Sequence, residues 1–220
     1  MIEDLKTDID RYVFMSKKHW LSMFFMKQGL WILTQYRVSR WVDLKVKLPV
    51  VRQILKVICA LWQKLIEILT NSEFPNKANI GKGIYMAHGS GIVLHNDLCM
   101  GEYCNIGHQV TIGYGGRGDK SGVPKVGDRV FIGPGAKIFG PIVIGNDVAI
   151  GANAVVTKDL PDNAVAVGIH AQIISYKGSQ DYIFYRNKKS TVSDRQTPTT
   201  AELPAQNMVC ENTVNHKIRG

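Results

Sequence analysis

Residues 126–156 read VGDRVFIGPGAKIFGPIVIGNDVAIGANAVV, and this stretch decides the fold of the chain. An aliphatic residue recurs at every sixth position, and glycine follows four of the six. The aliphatic positions are Val126, Ile132, Ile138, Ile144, Ile150 and Val156. A period of six matches neither the turn of an α-helix nor the alternation of a flat strand. It is typical of a parallel β-solenoid, in which each face of a coil contributes an inward aliphatic side chain.

The same period extends towards the N-terminus and is broken once. Its earlier members are Ile80, Met86, Ile92, Met100, Ile106 and Ile112, with a shift of two residues after Ile92. Between Ile112 and Val126 stands the segment GYGGRGDKSGVPK, which is too long for a turn of the coil. A loop that leaves a regular scaffold is a frequent place for function, so we expect this one to take part in the site.

The composition divides the chain into three regions. Between Gly81 and Gly178 lie 19 of the 21 glycines, whereas all four tryptophans precede residue 75. We predict an α-helical region over residues 1–72, a solenoid over 73–178 and a largely disordered extension over 179–220, since residues 190–220 are polar and lack periodicity. Within the first region, apolar residues recur at helical spacing over 30–42 and again over 50–69, where Pro49 suits a first helical turn.

The second of these helices is amphipathic, and two interpretations of its apolar face remain open. Its apolar positions are Val50, Ile54, Val57, Leu61, Leu65 and Ile68. Basic and polar residues interrupt the stretch, which excludes a membrane-spanning helix. The face either packs on a partner helix or subunit, or it rests on a membrane surface as a basic amphipathic helix.

Charge and cysteine content limit the partners and the compartment. The 220 residues include 27 Lys and Arg against 18 Asp and Glu, a net charge of +9. This excess suits an anionic partner such as a nucleotide cofactor or an acidic membrane. Nucleic-acid binding is not expected, because the charge is dispersed and no basic and aromatic platform is present. Four cysteines without CxxC spacing, and no apolar signal segment, predict a cytoplasmic protein, placed either in solution or at the inner face of the membrane.

Three segments resemble a known family. These are IGKGIYMAHGSGIV (residues 80–93), VTIGYGGRGDKSGVPKVGDRVFIGPGAKIFGPIVIG (110–145) and IGANAVVTKDLPDNAVAVG (150–168). Together they resemble the hexapeptide-repeat acyltransferases, in the branch similar to serine O-acetyltransferases. The resemblance covers about residues 71–175, and it implies a left-handed parallel β-helix. It also implies a homotrimer, either single or paired into a dimer of trimers, with acetyl-CoA between neighbouring subunits and no metal.

The resemblance assigns a catalytic pair. His88, in AHGSG, matches the family's catalytic histidine, and Glu73 stands fifteen positions earlier, where the family has an acidic residue. An imidazole can take the proton from an acceptor hydroxyl as it attacks a thioester, and a carboxylate can hold the imidazole in the required tautomer. The oxyanion that forms needs donors already in place, and backbone amides over residues 113–116 are candidates.

The remaining site residues follow from the same resemblance. Small residues would let the pantetheine arm approach the backbone, and cationic side chains would contact the CoA phosphates. The expected cofactor-binding residues are Gly113, Gly133, Ala136, Gly151, Lys158 and Arg117, with Lys120 as an alternative to Arg117. His108 and Ala87 are expected to line the acceptor site.

The acceptor is predicted from departures from the serine acetyltransferase pattern. The family's loop ends Asp-Arg-His-Pro-Lys, whereas this chain has Ser121, Gly122 and Val123 before Pro-Lys, and Ala87 replaces an Asp before the catalytic histidine. A desolvated amino acid needs charged partners, and a sugar hydroxyl does not. We therefore expect O-acetylation of a saccharide of capsule, exopolysaccharide or O-antigen. The alternatives are a serine O-acetyltransferase of cysteine biosynthesis and a non-catalytic binding solenoid.

Overall fold

The computed structural model describes residues 2–16 and 19–186. The N-terminal part is helical, with α1 Ile2–Ser16, α2 Trp20–Met26, α3 Gln28–Lys45 and α4 Pro49–Thr70. The two helices predicted from apolar spacing are therefore confirmed as α3 and α4. Pro49 occupies the first turn of α4, where its missing N–H costs nothing. Asn71 ends the helix in a left-handed conformation, with its amide donating to the Glu67 carbonyl at 2.7 Å.

The rest is a parallel β-helix of very short strands. In chain order these are β1 Asn79–Ile80, β2 Val93–Leu94, β3 Cys99–Met100, β4 Asn105–Ile106, β5 Thr111–Gly113, β6 Lys125–Val126, β7 Phe131–Ile132, β8 Lys137–Phe139, β9 Val143–Ile144, β10 Ala149–Ile150, β11 Val155–Val156, β12 Val165–Val167 and β13 Gln172–Ser175. Sheet 1 has the order β1-β3-β6-β9, sheet 2 has β2-β5-β8-β11, and sheet 3 has β4-β7-β10-β12-β13. All pairings are parallel except β12 with β13. The predicted fold class is confirmed.

The core lies inside the three sheets and follows the six-residue period. All of the periodic residues from Ile106 to Val156 are at most 2% exposed. A second inward column of side chains consists of the residues two positions before each of them. Val110, Val130 and Val148 in this column are 0% exposed. The coil is narrow, and its turns between sheet 3 and sheet 2 each include a residue at positive φ. These residues are Gly91, Gln109, Gly135 and Asn153 in successive coils.

The helical region caps the open end of the solenoid. Arg37 lies in α3 and binds Asp8 of α1, with Nε to Oδ2 at 2.9 Å, and it donates to the carbonyls of Ile80 and Gly81 at 2.8 and 2.6 Å. Asp8 also accepts the amide of Ile84 at 2.9 Å. The first coil has no preceding coil to pair with, and these side chains satisfy the backbone groups that would otherwise be buried without partners.

Two buried tyrosines complete the cap. The hydroxyl of Tyr12 accepts from the Met86 amide and donates to the Met86 carbonyl, both at 2.9 Å. Tyr36 does the same between Ile80 and Ala78 at 3.1 and 2.8 Å. Burial raises the pKa of both phenols, so each hydroxyl keeps the proton that it donates.

After β13 the chain runs back along sheet 3 as a strap, residues 178–186. The ring of Tyr182 stacks on Phe131 at 4.7 Å, and its carbonyl accepts from Asn105 Nδ2 at 2.9 Å. The ring of Tyr185 stacks on Tyr103 at 4.3 Å. This part of the predicted extension therefore packs on the solenoid. The predicted disorder of residues 190–220 lies outside the described residues. Across residues 2–16 and 19–186, none of the helices has the length and apolarity that a membrane crossing requires.

Candidate active site

One edge of the solenoid, between sheets 3 and 2, is built from stacked turns. The amide of Gln109 donates to the Ser90 carbonyl at 2.9 Å, that of Gly135 to the His108 carbonyl at 2.8 Å, and that of Asn153 to the Pro134 carbonyl at 2.8 Å. His88, His108, Gly133 and Gly151 belong to these four turns. The structure thus brings four of the predicted residues to one edge, called here the histidine edge.

His88 is exposed on the first of these turns, and its backbone is held from two sides. The side chain of Ser72 donates to the Gly89 carbonyl at 3.1 Å and accepts the Ile92 amide at 3.0 Å. On the other side the turn meets the start of α3, where a Cβ on Gly89 would lie 2.9 Å from the Gly29 amide nitrogen. An imidazole on a rigid, solvent-facing turn is placed to meet a substrate.

His108 lies one coil further along the same edge. Its ring is perpendicular to that of His88, with the ring centroids 5.9 Å apart. His108 is half-buried and His88 is exposed, so the two rings lie side by side at the surface of the histidine edge. Ala87, the other residue expected at the acceptor site, is exposed beside His88.

Glu73 is exposed at the start of the first coil, in register with Val93 of sheet 2. Its backbone is fixed by two bonds: its amide donates to the Ile92 carbonyl at 2.7 Å, and its carbonyl accepts from Leu94 at 3.0 Å. Glu73 follows Ser72, which binds the His88 turn, so the two residues lie on adjacent coils at one corner. Among the hydrogen bonds and ion pairs of the described residues, none joins the Glu73 carboxylate to the His88 ring.

The predicted pantetheine contacts divide into two groups. Gly133 and Gly151 lie on the histidine edge, where turns stack so closely that a Cβ on Gly133 would sit 2.6 Å from the Ala152 amide. Ala136 points into the core with 0% exposure, and its carbonyl is used by Thr111. Its side chain is therefore not available to a ligand in this structure, and Gly133 is itself buried against the next coil.

The remaining cofactor residues follow sheet 2 at the next edge of the solenoid. Gly113 ends β5, and the extended loop then closes on itself, since the amides of Gly115 and Gly122 each donate to the other's carbonyl at 2.9 Å. The Gly115 amide is thereby occupied, which removes it from the candidate oxyanion donors. Arg117, in the loop, and Lys158, after β11, are both exposed. The structure does not bring these two cations to the histidine edge of the same chain.

Sequence reasoning missed the residues that support the His88 turn. Gly29 is the clearest case, because a Cβ there would lie 2.7 Å from the Met86 carbonyl. It is one of only two glycines outside the repeat, and that isolation was the available signal. Ser72 and Tyr12 gave no signal, since their partners are backbone groups of a distant coil. Lys137 was also missed, and its ammonium bridges the Gln109 carbonyl and Thr111 Oγ1 at 2.6 and 2.9 Å.

Comparison with known proteins agrees with this architecture. Residues 124–158 match the bacterial transferase hexapeptide (six repeats) family. Over 152 residues the chain is 37% identical to the serine acetyltransferase of Synechococcus elongatus, covering 68% of this chain and 58% of that protein. It is 45% identical over 107 residues to that of Mycobacterium tuberculosis, covering 49% and 47%. The chain thus spans about half of the length of these curated relatives.

Solved structures give the same result. A serine acetyltransferase in complex with CoA superposes with a TM-score of 0.65 at 28% identity, over 79% of this chain and 69% of that one. A serine acetyltransferase in complex with cysteine superposes at 0.66 and 30%, over 79% and 65%. The chain is a hexapeptide-repeat protein of the bacterial transferase type, and its β-helix is of the left-handed kind expected. Within that superfamily, its similarity is to the serine acetyltransferases.

The predicted saccharide acceptor is wrong, because these relatives and structural neighbours are serine acetyltransferases. The prediction assumed that an amino acid's charged ends must be held from the family's exact positions. The loop carries charges of both signs a few residues before those positions, at Arg117, Asp119 and Lys120, all of them exposed, and it keeps the lysine of the pattern as Lys125. A comparison made position by position does not take such neighbouring charges into account.

Proposed function

We propose that the protein transfers the acetyl group of acetyl-CoA to the side-chain hydroxyl of serine. The observation that carries this proposal is the exposed His88 on a rigid turn of a hexapeptide solenoid, with His108 beside it at 5.9 Å, in a chain similar to serine acetyltransferases. Acetyl transfer from a thioester to an alcohol needs one group that accepts and then returns a proton, and the imidazole of His88 is suited to both steps.

The chemical step is a direct transfer. His88 takes the hydroxyl proton as the serine oxygen attacks the thioester carbonyl carbon, and a tetrahedral oxyanion forms. When the carbonyl is restored, the carbon–sulfur bond breaks and the CoA thiolate leaves. The imidazolium of His88 then returns the proton to that sulfur. The products are O-acetylserine and CoA, and no covalent enzyme intermediate is needed.

Glu73 is proposed as a positioning residue for His88. The two residues lie on adjacent coils, and Ser72 ties the backbone of one to the turn of the other. Glutamate has three side-chain torsions, so a movement of the side chain alone can carry its carboxylate towards the ring. In that position it would stabilise the imidazolium that forms when His88 accepts the proton.

Acetyl-CoA is the proposed donor. One group of described residues suits its pantetheine arm, and another suits its phosphates. Gly151 is half-buried and Ala152 beside it is exposed, so a narrow pantetheine arm can lie along the histidine edge at this turn, with Gly133 packed beneath it. The exposed cations Arg117 and Lys158 suit its phosphates. They lie at the other edge of sheet 2, so we propose a homotrimer in which a neighbouring subunit supplies these cations to each histidine edge.

An acceptor panel tests the function. Purified full-length protein is incubated with acetyl-CoA and, separately, with L-serine, L-threonine, glycerol or glucose, and acetylated products are identified by mass spectrometry together with released CoA. We expect O-acetylserine and an equal amount of CoA from serine, with much less product from the other hydroxyl compounds. Absence of O-acetylserine, or acetylation of serine no faster than of glycerol, would contradict the proposal.

A further inference from the structure

The outer face of α4 is an extended apolar surface that the described chain leaves uncovered. It consists of Val50, Ile54, Val57, Leu61, Leu65 and Ile68, which are between 53% and 80% exposed. The residues of α4 that are buried, Cys59, Ile66 and Thr70, lie on the opposite side, towards α3 and the solenoid. The face is therefore not an incomplete core within this chain. It spans about 27 Å along the helix axis, from the rise of 1.5 Å per residue.

The face continues beyond the N-terminal end of α4. Leu44 and Leu48, on either side of the turn between α3 and α4, are 61% and 66% exposed. Trp41, one helical turn before Leu44, is 39% exposed. Contiguous apolar surface of this extent on a soluble protein marks an interaction site. A tryptophan at its margin is typical of segments that lie at the boundary between lipid headgroups and water.

Charge distinguishes between the occupants that such a face could have. Residues 41–70 contain five basic and two acidic side chains. Both acidic groups are neutralised within the chain, Asp43 by Lys56 at 2.8 Å and Glu67 by Lys64 at 2.5 Å. Lys45, Lys47 and Arg52 are exposed, and no ion pair within the described residues includes them. Lys45 and Lys47 lie next to Leu44 and Leu48, so the N-terminal end of the apolar face carries cations whose charge is not balanced. Arg52 lies on the same side of α4 as the buried Cys59 and Ile66, away from this face.

From this combination, we propose that the outer face of α4 docks the protein on an anionic lipid bilayer. The helix would lie in the plane of the headgroups, with its aliphatic face inserted and with Lys45 and Lys47 contacting lipid phosphates. A second copy of the same helix is a poorer match, since both acidic groups of residues 41–70 are already paired and it would leave Lys45 and Lys47 without anionic partners. A bilayer would bury the apolar face and also supply phosphate groups to the cations.

Vesicle co-sedimentation tests this proposal with the full chain and needs no substrate. Wild type is mixed with sucrose-loaded vesicles of phosphatidylcholine alone or of phosphatidylcholine with phosphatidylglycerol. One variant, Ile54→Ser/Leu61→Ser, removes apolar contact, and a second, Lys45→Gln/Lys47→Gln, removes the unbalanced cations. The matched control is Ile173→Ser/Ile174→Ser, which makes the same change at exposed positions of β13.

We expect wild type and the β13 control to sediment with the mixed vesicles and not with phosphatidylcholine alone. The cation variant should bind about 25-fold more weakly, from roughly one factor of five for each of the two lysines near the surface. Wild type that stays in the supernatant, or a serine variant of α4 that sediments like wild type, overturns the proposal. If wild type fails to sediment and the α4 serine variant has a lower mass by light scattering, the face is an interface between copies of this chain instead.

Discussion

Arg37→Met removes the group that joins the helical region to the first coil of the solenoid. Arg37 is 4% exposed and Asp8 is 0% exposed, and the substitution eliminates hydrogen bonds to Asp8, Ile80 and Gly81. Methionine fills much of the same volume, so the main loss is polar. Removing one partner of a buried ion pair costs about 3–5 kcal/mol, since the other charge stays buried and unpaired. We expect a loss of this size in the free energy of unfolding.

Urea unfolding at a matched protein concentration measures this loss. The control is Asp8→Asn, which keeps an oxygen for the Ile84 amide, and the double variant completes the cycle. The double variant should be less destabilised than the sum of the single changes, because it leaves no unpaired carboxylate. A loss of less than about 1 kcal/mol for Arg37→Met, or simple additivity, would refute the reasoning.

The pH dependence gives a second check. Burial raises the pKa of Asp8 above its ordinary value, although Arg37 opposes this. Without Arg37 the pKa rises further, so the carboxyl group is protonated in the folded variant at a pH where the unfolded chain has already ionised. The loss of stability caused by Arg37→Met is therefore small below pH about 3.9, which is the pKa of an aspartate in the unfolded chain. It increases as the pH rises through the pKa of Asp8 in the folded variant. Arg37→Met should lose more stability at about pH 8 than at about pH 5.

Three further substitutions or treatments probe other contacts. Gly29→Val inserts atoms where only a hydrogen fits, so it should lower the stability measured by thermal unfolding by about 1–3 kcal/mol. It should also slow acetyl transfer, because it displaces the His88 turn. Gly29→Ala should have a smaller effect on both the stability and the rate. Burial raises the pKa of Cys104 to about 12, so peptide mapping should find its thiol unmodified by a maleimide in the folded protein and modified in urea. Tyr182→Ala removes a ring stacked on the solenoid and should lower stability by about 1 kcal/mol, with a Tyr182→Phe control close to wild type.

The solenoid could be predicted from sequence because successive coils place the same kind of side chain in the same buried environment. Ile132 and Ile150 meet the same surroundings one coil apart, so the period appears directly in the sequence. The second inward column was harder to see. It includes alanines and a cysteine, such as Ala136 and Cys104, whose types do not indicate burial by themselves.

The cap and the acceptor could not be predicted in the same way. Arg37 lies within the predicted helix over residues 30–42, but nothing in the sequence shows that its partners are Asp8 and two carbonyl groups of the first coil. These contacts join positions 29 to 44 residues apart, and each is made once. The acceptor was predicted wrongly because the prediction compared the loop with the family pattern position by position and left out the charges that stand a few residues away.

The central claim is that His88 moves the proton in acetyl transfer. The most direct measurement is the turnover number for CoA release from acetyl-CoA and serine, for wild type and for His88→Gln, with circular dichroism confirming that both are folded. A positioned general base contributes about 10²–10⁴-fold, so the turnover number should fall by that factor while the KM for acetyl-CoA stays within about twofold. A His88→Gln protein that releases CoA at the wild-type rate would contradict the account.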